Sequence, residues 1–342
     1  PEQLVPKRIM KMKTQFVRPA LRASFLAMLF LIASSCSSTS SSTSNLTLIA
    51  YDSFLPPEGA FDAFTEETGI TVQIALSGDT GEMVAKASLT SGNPEGDVMW
   101  GVDNTFISRA IKSEIFVGDP TEVDFGYVCV NYDIAALMET EAPTTLNDLT
   151  APQYKGMLVV ENPATSSPGL AFLLGTVAAF GDNWPDYWRQ LVANDVLVVD
   201  SWSEAYYTAF TRYGGDRPLV VSYSTSPPAE MIFADPPFPK GAPAVTGVAT
   251  ETCFQQIEYA GVLRGSEFTK QAQQLVDYLA GPIFQSLLPE SLFVYPANED
   301  VALPQSFIDY APTITTSYSL PPEDISKNRQ AWIEQWSDIV LR

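Results

Sequence analysis

The chain has 342 residues, 19 Lys and Arg against 40 Asp and Glu, and no histidine. That acidic surplus suits nucleic acid poorly, because its backbone is held by Lys and Arg, and the missing histidine removes Ser-His and Cys-His nucleophile pairs, every His metal site and the commonest general base. A small cation is electrostatically welcome at a net charge of −21, although solubility alone accounts for most of the carboxylates.

The first 35 residues read as a targeting segment. Lys7, Arg8, Lys11, Lys13, Arg18 and Arg22 precede an apolar core at residues 25–33, and Ala33-Ser34-Ser35-Cys36 fits a lipoprotein cleavage box in which Cys36 becomes the lipidated first residue. A compact signal peptide of this kind would begin at Met10 or Met12, and its apolar core is too short to span a bilayer as a permanent helix. Residues 1–35 hold six of the basic and one of the acidic residues, so the exported part carries 13 against 39, a net charge of −26. Residues 36–45 are nearly all Ser and Thr and form a flexible tether between lipid and domain. The expected product is exported and lipid-anchored, at the cell surface or in the periplasm.

About 300 mature residues exceed the usual single core, so two lobes are expected. Residues 46–50, 71–75 and 97–100 read as strands with helices at 59–68 and 82–89 between them; this βαβ order predicts a largely parallel sheet. A second α/β unit follows from residues 125–132: strands at 157–160, 196–199 and 219–222, with helices after Pro168, at 184–193 and from Ser203. At the C-terminus Pro321-Pro322-Glu323-Asp324 precedes Ile325, Trp332, Ile333, Trp336, Ile339 and Val340, spaced for one packed face of a helix. Residues 125–132 and 253–259 are the expected crossings between lobes. Cys129 and Cys253 lie in these two apolar runs, and the sequence leaves a disulfide and two buried thiols equally open.

Three strand-to-helix turns are rich in Ser, Thr and aromatics: residues 162–170, 200–206 and 222–227. In the first, Ser166 and Ser167 offer hydroxyls and Pro168 suits a first helical position, so the helix start reads as a cradle for an anion or a hydroxyl. The three turns together suggest one shared cleft.

Seven short motifs then fall in a familiar order: Tyr51-Asp52-Ser53-Phe54, Gly101-Val102-Asp103-Asn104, Asp124-Phe125-Gly126-Tyr127, Thr165-Ser166-Ser167-Pro168-Gly169-Leu170, Trp202-Ser203-Glu204-Ala205-Tyr206, Ser222-Tyr223-Ser224-Thr225-Ser226-Pro227 and Arg329-Gln330-Ala331-Trp332-Ile333. From about residue 46 to the end, the chain resembles the thiamine-binding periplasmic proteins of bacterial ABC importers. The resemblance implies an α/β, two-lobed periplasmic-binding-protein-like fold with the ligand cleft between lobes, lobe 1 from 46–125 and 255–298, lobe 2 from 126–254 and 299–342. It implies capture of thiamine or thiamine phosphate for delivery to an ABC transporter permease, with no catalysis, cofactor or metal. The ligand positions it implies are Asp79, Thr80, Ser166, Ser167, Trp202, Tyr223, Ser224, Thr225 and Ser226, with Tyr51, Asp103, Glu204 and Phe293 as further wall residues. Two departures stand out: Ala229 where an aromatic is expected, and Phe293 where a tryptophan is expected. Trp202 and Tyr223 suit flat or cationic rings, and Asp79 suits an opposing charge.

Rival functions are a ferric-ion carrier, suggested by Tyr206-Tyr207, a polyamine-binding protein of the same architecture, and a serine hydrolase built on Ser166 or Ser167. The tyrosine pair falls inside a helical run and not after the 219–222 strand, and no Lys lies near either serine in sequence to serve as a base.

Overall fold

The computed structural model describes residues 45–342; the basic segment, Cys36 and the tether up to Ser44 lie outside the described residues. Nine strands form one sheet: β1 Asn45–Ala50, β2 Thr71–Leu76, β3 Val98–Asp103, β4 Thr121–Asp133, β5 Leu158–Glu161, β6 Leu197–Val199, β7 Leu219–Tyr223, β8 Thr246–Val262 and β9 Tyr295–Pro296. Their order is β2-β1-β3-β8-β4-β7-β5-β6, with β9 on β4. The predicted parallel sheet is therefore correct only at the flanks. Strands β2-β1-β3 and β7-β5-β6 are parallel sets, as βαβ units require, whereas the centre, β3-β8-β4-β7, is antiparallel throughout.

Strands β4 and β8, of 13 and 17 residues, carry the chain from one flank to the other. Their pairing slips between Val128 and Val130, where Thr252 fills the gap: its Oγ1 accepts from Val130 N at 2.8 Å and donates to the Ala249 carbonyl at 2.7 Å. At this bulge Cys129 and Cys253 form a disulfide with Cα atoms 4.1 Å apart. The alternative left open by the sequence is thereby resolved in favour of the bridge.

One apolar core lies under the first flank, around Leu46, Leu48, Trp100, Leu275 and Phe284. The helix Thr269–Ala280 supplies part of it through Ala272, Leu275, Val276 and Leu279, a spacing that places all four on one face. A larger core runs from Met83 and Met99 to Val160, Leu170, Phe172, Trp188 and Trp336. The terminal helix Pro322–Val340 packs as its pattern predicts, with the Trp336 ring edge-on to Trp188 at 5.5 Å. Among the described residues no helix is long and apolar enough to cross a membrane.

Candidate ligand-binding cleft

The strand ends and the turns that follow them line a cleft of about 170 Å³ that opens to solvent. Of the thirteen candidate positions, Tyr51, Asp79, Thr80, Ser167, Trp202, Tyr223, Thr225, Ser226 and Phe293 line it. Ser166, Ser224 and Asp103 are fully buried behind its wall. Glu204 points away to solvent, its carboxylate accepting from Asp200 N at 3.3 Å.

Asp79 is the hub. As N-cap of the helix Thr80–Leu89 it accepts from Thr80 N at 2.7 Å, and it also reaches the second flank, accepting from Trp202 N at 3.1 Å and Ser167 N at 3.5 Å. Burial raises its pKa to about 6, and the hydrogen bonds from Trp202, Thr80 and Ser166 keep it from rising further.

This geometry corrects the expected anion cradle. The N-cap of the helix Ser167–Phe180 is Ser166, whose Oγ accepts from Gly169 N at 3.5 Å; Ser167 is the first helical residue and Pro168 the second. Ser167 Oγ accepts from Gln256 Nε2 at 2.6 Å. With Ser167 N aimed at Asp79, the helix start holds a carboxylate belonging to the protein itself.

The opposite wall is aromatic. Ser201 caps a helical turn, Trp202–Glu204, that continues into the π-helical turn Ala205–Ala209. The wider turn stacks Trp202 on Tyr206, centroids 5.0 Å apart and planes 19° apart, with Tyr207 edge-on at 5.4 Å. Trp202 Nε1 donates to Ser222 Oγ at 3.0 Å, which in turn lies 2.9 Å from Ser226 Oγ. Thr225 Oγ1 donates to the Phe293 carbonyl and ties this wall to the loop before β9.

The profile of the family described as bacterial extracellular solute-binding protein matches residues 102–318. The chain belongs to that family. Over 318 residues this solute-binding protein is 29% identical to the thiamine-binding periplasmic protein of Salmonella typhimurium, a match covering 87% of this chain and 94% of the relative. It is 28% identical over 313 residues to the protein of that name from Brucella abortus, covering 85% and 90%. A solved periplasmic thiamin binding protein matches with a TM-score of 0.78 at 27% identity, covering 87% of this chain and 96% of that one. Iron-bound HitA from Pseudomonas aeruginosa matches at 0.67 and 16% identity over 86% and 99%, which speaks for the fold alone. The expected two-lobed periplasmic-binding-protein-like fold is the one adopted.

Several lining residues of this solute-binding protein were not legible as such. Tyr206, Tyr207 and Tyr213 line the cleft, and so do Glu230 and Glu258. Glu230 accepts from Tyr206 Oη at 2.7 Å, Tyr213 Oη at 3.2 Å and Arg212 Nε at 3.4 Å, so of the two phenols suggested for iron Tyr206 is engaged internally. Glu258 carried a detectable signal: Gln256 and Glu258 are the polar positions on the alternating buried face that they share with Phe254, Ala260 and Val262. Among the described residues no group of three or more His, Cys, Asp or Glu is arranged to hold a metal ion.

Proposed function

We propose that this chain is the solute-binding component of an ABC importer, capturing thiamine in the cleft and delivering it to a membrane permease. The observation that carries the ligand class is the lining itself: stacking aromatics facing carboxylates, in a chain related over nearly its whole length to proteins named for thiamine binding. Trp202, Tyr223 and Tyr51 offer ring faces, each worth about 0.5–2 kcal/mol to a cationic heterocycle. Ala229 and Phe293 leave that wall wider than two larger aromatics would.

The same lining favours thiamine over its phosphates. Asp79, Glu230 and Glu258 contribute carboxylates and, among the described residues, no Lys or Arg lines the cleft, while the helix start that would welcome a phosphate is occupied by Asp79. A phosphate there would meet repulsion instead of counter-charge.

Closure belongs to the proposal too. Lobes divided at 46–125 with 255–298, and 126–254 with 299–342, would hinge across β4 and β8, and Asp79 would latch them by accepting from Ser167 and Trp202. Anchoring through Cys36 and the Ser/Thr tether is likewise part of the proposal, and Cys36→Ser should release the protein from the membrane fraction with ligand affinity unchanged.

Titration followed by calorimetry or tryptophan fluorescence, with thiamine, its mono- and diphosphate, spermidine and ferric citrate, tests the function directly. Thiamine should bind tightest and the diphosphate more weakly. Stronger binding of spermidine or ferric citrate would replace the proposal with one of its rivals, and turnover of thiamine phosphate esters by clean protein would replace it with an enzyme.

A further inference from the structure

Three carboxyl groups stand side by side across three neighbouring strands, the middle one reaching the cleft: Asp103 on β3 pairs with Glu258 on β8, and Glu258 pairs with Asp124 on β4. Residues directly opposite on adjacent strands share a face, so the three groups form a row. Asp103 is well supplied with donors: Thr105 Oγ1 at 2.8 Å, Phe106 N at 3.2 Å and Gln256 Nε2 at 2.9 Å. The other two are not. Both oxygens of Asp124 and Oε2 of Glu258 are buried without a donor, in residues 1% and 4% exposed. Glu258 nevertheless lines the cleft, as Tyr51 does.

Two adjacent buried carboxylates cannot both ionise without a cation, and a pair of this kind titrates as a unit. The charged and titratable groups facing it are Tyr51 after β1, Asp79 from the Thr80 helix, Asp103 on β3 and Tyr223 on β7. Tyr295 stands on β9, whose Pro296 pairs with Asp124. Arg329 lies on the Asp103 side of the row, its guanidinium over Phe106 and bonded to the Thr105 carbonyl at 3.0 Å. None of these supplies a positive partner to Glu258 or Asp124.

We propose that the Asp124–Glu258 pair reads the charge of the ligand: it holds a proton while the cleft is empty and gives it up when a cationic ring seats against Glu258. The ring's positive charge then takes the place of the proton, and a neutral ring of the same shape leaves the proton where it is. Burial and the mutual repulsion of the row push both carboxyls well above the ordinary range, in keeping with this geometry. The inference rests on the proposed binding of thiamine, whose thiazolium is such a ring.

Infrared difference spectroscopy separates the two proposals. At neutral pH the ligand-free protein should show a protonated-carboxyl C=O stretch that is missing from the Asp124→Asn, Glu258→Gln double variant, and thiamine should bleach it in the wild type. Affinity for thiamine should rise with pH by up to about tenfold per unit, and this slope should vanish in the double variant. Glu258→Gln alone should weaken thiamine by about tenfold to a hundredfold, a larger loss than the same variant shows for a neutral triazole analogue. Asp124→Asn serves as the second single variant should Glu258→Gln not fold. A ligand-free spectrum identical to that of the double variant overturns the inference. So does thiamine binding with the band unbleached and affinity flat in pH. A chain that bound no thiamine at all would instead remove the proposed function, and the ligand half of the inference with it, while the ligand-free spectrum would still decide the proton.

Discussion

A single methyl group at Gly81 tests whether the cleft closes. Gly81 lies in the first turn of the Thr80–Leu89 helix, and a Cβ there would sit 2.4 Å from the Thr165 carbonyl oxygen and 2.8 Å from that of Ala164, both on the opposite flank. Ordinary contact begins near 3.4 Å, so the flanks must part by about 1 Å at this point. Both obstacles are backbone and cannot rotate away. Gly81 has no left-handed φ, so alanine fits the helix there and contributes a few tenths to about 1 kcal/mol of stability through the unfolded chain. The clash, about 1–3 kcal/mol as overpacking goes, falls only on the closed form. Gly81→Ala should therefore lower thiamine affinity by roughly 5- to 150-fold while leaving the ligand-free melting temperature equal or slightly raised. Fluorescence titration read beside a calorimetric melt checks both halves. Undiminished affinity would refute the wedge; a melt lowered along with the affinity would mean that the contact belongs to a rigid fold and closes nothing.

Trp202→Ala should weaken thiamine by about 1–3 kcal/mol through loss of a ring face and its buried area, so a folded variant with wild-type affinity would remove Trp202 from the site. Ser166→Ala should lower stability by about 1 kcal/mol, as loss of an N-cap does, and reduce affinity for thiamine and its monophosphate alike; a loss confined to the monophosphate would return the phosphate to this helix start. Stability should also fall as pH rises. Burial raises the folded-state pKa of Asp79 and of Asp103 to about 6, above the unfolded value of about 4, so the native state binds more protons between about pH 4 and 6. Urea unfolding should show each contributing up to about 3 kcal/mol less at pH 7 than at pH 4, and greater stability at pH 7 would contradict that burial.

What was legible in the sequence is what local pattern controls. The 184–193 helix, the β1 and β2 strands and the terminal helix follow from periodicity and Pro or acidic starts, and they are found within a residue or two of expectation. The antiparallel centre was not legible, because the pairing of β4 with β8 joins residues over a hundred positions apart and no local signal records it. The cleft was half legible. Trp202 and Tyr223 are marked by polar neighbours after apolar runs, whereas Tyr206, Tyr213 and Glu230 enter the wall through a π-helical turn and a long-range hydrogen-bond network. Ser166 and Glu204 show the converse: their sequence surroundings match those of their neighbours, yet capping geometry turns one inward and the other out.

The Cys129–Cys253 bridge, 124 residues apart in sequence, also makes a ring of covalent chain from the middle of β4 round to the middle of β8. Strands β5, β6 and β7, with the Trp202 and Tyr223 walls, all lie inside that ring. A protease that cuts a loop within it leaves the fragments fastened together until a reductant parts them, and a ring of this length removes roughly 4–5 kcal/mol of freedom from the unfolded chain. The aromatic half of the cleft thus gains its covalent closure only where thiols can oxidise, and a reducing solution takes that part of its durability away.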